Sequence, residues 1–170
     1  MKRKVSTLLI ALAVVVAAVS GSAATVFQDE TLNYKVMYKW GFISKVAGYA
    51  TLRLETSPSA YEAVLTARSA KWADRLYKLR DTLYTTMSPA TMLPQNYVYI
   101  AHENGTYKHD RVAFSHVGDQ FTGKTTRQYR NKHGEWSEDS QTLTATGPSV
   151  DLPSMVFYVR ALDFPRMRIG

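Results

Sequence analysis

The residues of this 170-residue sequence whose types could do chemistry are four histidines (His102, His109, His116 and His133), the carboxylates Asp74, Asp81 and Asp110, and the serine of a Gly147, Pro148, Ser149 stretch. A zinc hydrolase would need histidines and a carboxylate at short, fixed spacings. None of the four stands in such a pattern. His102, His109 and His116 recur at seven-residue intervals, and an odd interval along a strand sends side chains to opposite faces, so no metal site is expected from them. A nucleophilic serine would sit in a glycine-flanked strand-to-helix elbow. Ser149 lies in an ordinary loop instead. Two carboxylates facing one another could cleave a glycosidic bond. Here each has arginines nearby, Arg75, Arg80 or Arg111, and surface ion pairing is the expectation. Asn104, Gly105 and Thr106 match a glycosylation acceptor, for which a hairpin turn is sufficient explanation. With no cysteine, neither a thiolate nor a disulfide is available. No catalytic residue, metal or cofactor is therefore expected.

The aromatic residues are the stronger functional signal. Three Trp, 11 Tyr and 6 Phe are present, and amphipathic rings serve equally as core filler and as the lining of a groove for sugars or acyl chains. Tyr34, Tyr38, Trp40 and Trp72 fall on or beside apolar faces, and core packing is expected first for all four. Tyr97 and Tyr99 are two residues apart, on one face of a strand, and together with Trp72 they form the candidate ligand groove.

The elements that must position these side chains are mostly strands. Leu32, Tyr34, Val36, Tyr38 and Trp40 alternate with polar residues, and a second alternating run covers Val46, Gly48, Ala50, Leu52 and Leu54. A five-residue connection, Gly41 to Lys45, predicts a hairpin between them. The small Gly48 and Ala50 are expected to admit Trp40 or Tyr38 close to the backbone. A third strand is expected over Ala60 to Ala70. A helical turn follows from Lys71 and runs into a strand through Tyr77, Leu79, Asp81 and Leu83, and Pro89 and Pro94 bracket a loop. Asn104 and Gly105 join the Gln95–Glu103 and Tyr107–His116 strands, since both residues tolerate the positive φ of a type I′ turn. Gly118 and Asp119 lead into Gln120–Arg130, and Asn131 to Gly134 connect it to Glu135–Ala145. About eight antiparallel strands at regular spacing predict a barrel or sandwich. One helix is expected from Asp151, its cap, to Pro165, its stop, with Leu152, Met155, Val156, Val159 and Leu162 as the core-facing stripe and Arg160 in solvent.

The N-terminus reads as an export signal. Lys2, Arg3 and Lys4 precede an apolar run from Val5 to Val19, which is shorter than the roughly 20 residues a spanning helix needs. Small residues from Ser20 to Ala24 fit a peptidase site, so residues 1–24 are the expected signal peptide. Residues 25–170 are then a single mature domain with no transmembrane span. The predicted destination is the periplasm or cell envelope. Loss of Lys2, Arg3 and Lys4 lowers the formal charge from +7 to +4. That is a solvated surface rather than a nucleic-acid footprint, with some preference for acidic glycans or phospholipid headgroups.

Taken in order, several segments resemble the exported bacterial family called domain of unknown function 3108. They are Tyr38 to Ile43 with Gly48 and Ala50 to Leu52; Trp72 to Asp74 before Tyr77 and Asp81; Met92 to Pro94; and Asp151, Leu152, Ser154, Tyr158, Arg160 and Leu162 to Phe164. The resemblance covers most of the mature chain. It implies a large antiparallel β assembly similar to the YmcC-like barrel fold, and it implies further strands after the helix, with Gly170 a truncation point. It supplies no activity and no catalytic residue. The function expected first is a non-catalytic module binding an envelope lipid or glycan. An assembly protein that binds another envelope protein comes second, and an envelope hydrolase using Asp74, Asp81 or His109 a distant third.

Overall fold

The structure is a computed structural model that describes residues 27–166. The expected signal peptide lies outside the described residues. Eight strands are present: β1 (Glu30–Trp40), β2 (Ile43–Thr56), β3 (Tyr61–Ser69), β4 (Leu79–Met87), β5 (Pro94–Glu103), β6 (Thr106–Val117), β7 (Gln120–Arg130) and β8 (Trp136–Thr146). They form one antiparallel sheet in sequential order, each strand paired with the next. Among the described residues β1 and β8 do not pair with each other, so the sheet is not closed into a barrel. The second layer is the helix α1 (Leu152–Ala161), packed on β3 and β4. The mainly antiparallel fold with one C-terminal helix is thus as the periodicities predict. No helix among the described residues is long and apolar enough to cross a membrane.

The face under α1 is the inner one, because the strand residues buried there share one parity. Leu52 and Leu54 of β2, Tyr61 and Ala63 of β3, and Met87 of β4 join Phe27, Met92 and Phe157 in one core. Phe157 is fully buried and meets Phe27 edge-on at 5.6 Å between ring centres. Each of the buried Leu, Met and Phe side chains contributes about 1.5–3 kcal/mol by leaving water.

Of the helical stripe its sequence predicts, Val156 packs against the core, but the face turned inward is otherwise a different one. Pro153, Ser154 and Phe157 are buried, while Leu152, Met155 and Val159 are exposed. The reason is the cap. Asp151 accepts from the Ser154 amide at 2.9 Å while the Ser154 hydroxyl accepts from the Asp151 amide at 3.0 Å, and the second Asp151 oxygen accepts from the Thr85 hydroxyl of β4 at 2.5 Å. That last bond pins the first turn to the sheet and fixes the rotation of the helix. Arg160 is exposed, as expected, and from the surface pairs with Glu30 of β1 and lies 5.0 Å over the Phe27 ring.

Two local differences concern the first hairpin. Its turn is two residues long, Gly41 and Phe42, and the strands continue to Trp40 and Ile43 because a bulge between Val36 and Met37 shifts the register. The Trp40 side chain lies outside what is described, and Gly48 makes room for backbone, not for Tyr38. A β-carbon there would lie 2.9 Å from the Arg68 carbonyl oxygen of β3. The Asn104–Gly105 turn is as expected, with φ of 46° and 91°.

Replacing Gly48 by Ala should lower stability by about 1–3 kcal/mol, the usual cost of overpacking against atoms that cannot retreat. Urea unfolding of the variant beside the parent measures this.

Candidate functional site

The inner face changes chemistry from one side to the other. Along one cross-strand row, Leu32, Leu52, Leu65 and Leu83 oppose one another from β1 to β4, and the row continues through Tyr99 to Asp110, Arg127 and Asp139 on β5 to β8. The leucine half is the half on which α1 packs. Over β6 to β8 the inner face is mixed, with Asp110, Arg127, Asp139 and Gln141 beside Val112, Phe114, Phe121 and Leu143, and every residue of β8 is exposed.

Tyr97 and Tyr99 both point to this face, as their spacing requires. Tyr97 opposes Thr85 on β4 and Val112 on β6. It stands at one wall of a recess of about 280 Å³, with Asp110, Arg127, Asp139 and Gln141 as polar groups and Val112 and Leu143 as apolar ones around it. Arg127 grips Asp110 side-on, Nε to Oδ1 at 2.8 Å and an Nη to Oδ2 at 2.7 Å, and the pairing holds the guanidinium firmly protonated. The Gln141 amide donates to Asp139 at 2.7 Å. Burial, helped by Asp151, Asp110 and Asp81, pushes the Tyr97 phenol up to about 12. It is therefore a neutral hydroxyl at physiological pH, and it forms no hydrogen bond among the described residues.

Tyr99 serves a second cluster. Its hydroxyl donates to Asp81 at 2.8 Å and lies 3.2 Å from Glu103, which also accepts from Tyr77 at 3.2 Å. The Lys108 ammonium sits 5.5 Å from the centre of its ring. Asp81 is 7 % exposed, and its other carboxylate oxygen, Oδ1, is buried without a partner. Desolvation raises its pKa above the ordinary 3.8, with the neighbouring Glu103 adding to the effect.

Trp72 is not part of either group. It lies in the β3–β4 connection, its indole nitrogen donates to the Val46 carbonyl at 2.7 Å, and its ring packs on Tyr38 with Lys45 nearby. It clamps the β1–β2 hairpin at the bulge.

The charged candidates separate in the same way. Asp74 pairs with Arg80 at 2.7 Å and is held down to about 2 by that bond and by Ser69. Asp81 and Asp110 pair with neither Arg80 nor Arg111, because sequence neighbours on a strand face opposite sides. Asp81 on the inner face and His109 on the outer cannot converge, so the residues named for a hydrolase do not form one site. His116 points inward and stacks on Phe114 and Phe121. Among the described residues no three of the His, Asp and Glu side chains are placed to hold a metal ion.

The recess residues that sequence reasoning missed are Arg127, Asp139 and Gln141. A signal for the first was present. Asp110 stands eight residues before Gly118 and Arg127 eight after Asp119, so counting outward from that turn pairs them.

A family model for a protein of unknown function, DUF3108, matches residues 33–164. The chain belongs to the DUF3108 family. No curated protein and no solved structure matches it. Family membership brings no named role to these residues, so the reading of the DUF3108 site rests on its own geometry.

Asp81 generates a pH prediction. The unfolded chain titrates this group near 3.8 and the folded chain higher, so the folded state holds the proton more tightly, and the group's contribution to stability declines as pH rises through that interval. Asp81→Asn can still accept from Tyr99 and donate toward Glu103. It should be more stable than the parent at pH 7, by about 1–3 kcal/mol, with the gap closing toward pH 4. Thermal melts at the two pH values decide it.

Proposed function

We propose that the protein is a non-catalytic binding module of the cell envelope that holds an envelope lipid or glycan on the inner face of its sheet. The observation that carries this reading is the uncovered recess beside Tyr97, in which a free phenol faces the planar groups of Asp110, Arg127, Asp139 and Gln141. Carboxylate, guanidinium and amide together offer paired donors and acceptors at the spacing of neighbouring hydroxyls, while the tyrosine ring offers an apolar wall. Among the envelope ligands this composition favours the sugar. An acyl chain would prefer the leucine half of the face, which α1 already covers. Export to the periplasm or envelope, as the N-terminal sequence predicts, puts the module where such ligands occur.

One observation favours the assembly reading as a second. β8 is an edge strand of 11 residues with no lysine or proline and all of its side chains exposed, whereas the other edge, β1, carries Lys35, Lys39 and a bulge. Unprotected edges accept a further strand from a partner.

Native mass spectrometry of the protein purified gently from cell envelopes tests the first reading. A stoichiometric glycan or lipid adduct is expected, lost in a Gln141→Ala, Asp139→Ala variant that still melts cooperatively. A folded protein of bare mass would turn attention to β8 and to protein partners.

A further inference from the structure

The outer face carries a row that the inner site does not use. Lys35 on β1 opposes Tyr49 on β2, Tyr49 opposes Arg68 on β3, and Arg68 opposes Arg80 on β4, which opposes His102 on β5. Beyond it the row runs through Tyr107 and Arg130 to Trp136 on β8. It crosses all eight strands, roughly 34 Å at 4.8 Å per strand. Cations and aromatic rings share it, and no strand contributes a carboxylate to it.

The centre of this row is unfavourable for folding alone. Arg68 and Arg80 are directly opposed on adjacent strands, and like charges so placed destabilise a sheet. Asp74 reaches Arg80 from the β3–β4 connection, with an Nη to Oδ2 distance of 2.7 Å. Arg68 has no carboxylate among its described contacts; its guanidinium lies 4.9 Å over the Tyr49 ring. Beneath these side chains is a recess of about 310 Å³, with Tyr49, Arg68, Arg80 and His102 along one side and the hydroxyls of Thr51, Thr66 and Thr82 along the other. Asp81 borders it only from within the sheet, since its carboxyl is bonded to Tyr99 on the opposite face.

We propose that this outer recess binds a phosphate group. The Arg68 guanidinium, the Arg80 guanidinium that both Asp74 oxygens already hold, an imidazole and threonine hydroxyls line it, and a tetrahedral oxyanion accepts from several at once while offsetting the charge of Arg68 beside Arg80. Tyr49 on one side and Tyr107 and Trp136 along the row provide apolar surface for the remainder of a phosphate-bearing molecule. The same chemistry is presented by a soluble phosphate and by a phospholipid headgroup, and the experiment separates the two. The site is on the opposite face of the sheet from the Tyr97 recess and stands independently of it.

The test is a thermal-shift titration with inorganic phosphate, run beside co-sedimentation with phosphatidylcholine vesicles with and without phosphatidylglycerol. Binding stabilises the folded state by mass action, so the melting temperature should rise with phosphate. A rise with phosphate and no vesicle binding identifies a soluble ligand, and retention on phosphatidylglycerol vesicles identifies a headgroup. Arg68→Gln should weaken either response roughly tenfold, whereas Lys124→Gln, elsewhere on the same face, should leave it intact. In phosphate-free buffer Arg68→Gln should melt at or above the parent, which shows that it folds. No response to either probe, or equal loss from the two variants, overturns the proposal.

Discussion

The hydrogen-bond register of a single antiparallel ladder, continuous from β1 to β8, determines nearly everything else in this molecule. Once Leu52 is opposite Leu65 and Leu65 opposite Leu83, each other residue is assigned a face and a row, because side chains alternate with period two and a slip of one position would invert them all. Two irregularities, near Met37 within β1 and near Met87 at the end of β4, adjust the register without breaking the pairing. Gly48 belongs to the same constraint. The neighbouring strand comes so close at that position that hydrogen is the only side chain that fits.

Burial follows from the register. On β1 to β4 the inner rows are leucine, alanine and methionine, and α1 closes over them through Phe157, through the Asp151 bond to Thr85 and through the Arg160 bridge to Glu30. On β6 to β8 the same face carries Asp110, Arg127 and Asp139 among its apolar residues, and covering it with an apolar helix would strand those charged groups without water. The helix therefore occupies one side only. Asp81 marks the frontier between the halves, a carboxyl on the apolar side whose one bonded oxygen is satisfied by a tyrosine from the polar side.

The sheet consequently carries two surfaces of unlike chemistry. The inner one offers paired acid, guanidinium and amide groups beside a neutral phenol; the outer one offers a row of cations and rings. Both arise from residues far apart in sequence, and the pairing of adjacent strands joins them. Neither requires a mobile segment or a residue in strained geometry at the site itself.

The sequence by itself determined the element list, the turns and the alternation. Strand periodicity, the Asn104–Gly105 turn and the Asp151 cap are local properties, governed by φ preferences and by side chains bonding the nearest backbone, and each is present in the structure. Alternation likewise put Tyr97 and Tyr99 on a common face. Tertiary structure decided which residues surround them. The Trp72 indole was claimed by the Val46 carbonyl, away from both tyrosines, and Asp110 found Arg127 across a hairpin rather than its neighbour Arg111. The helix shows the limit most clearly. Its own periodicity favours Leu152, Met155 and Val159, but one hydrogen bond to Thr85, 66 residues away, rotates Phe157 inward instead. Propensity acts over a few residues, whereas burial and cross-strand pairing are settled by the whole sheet at once.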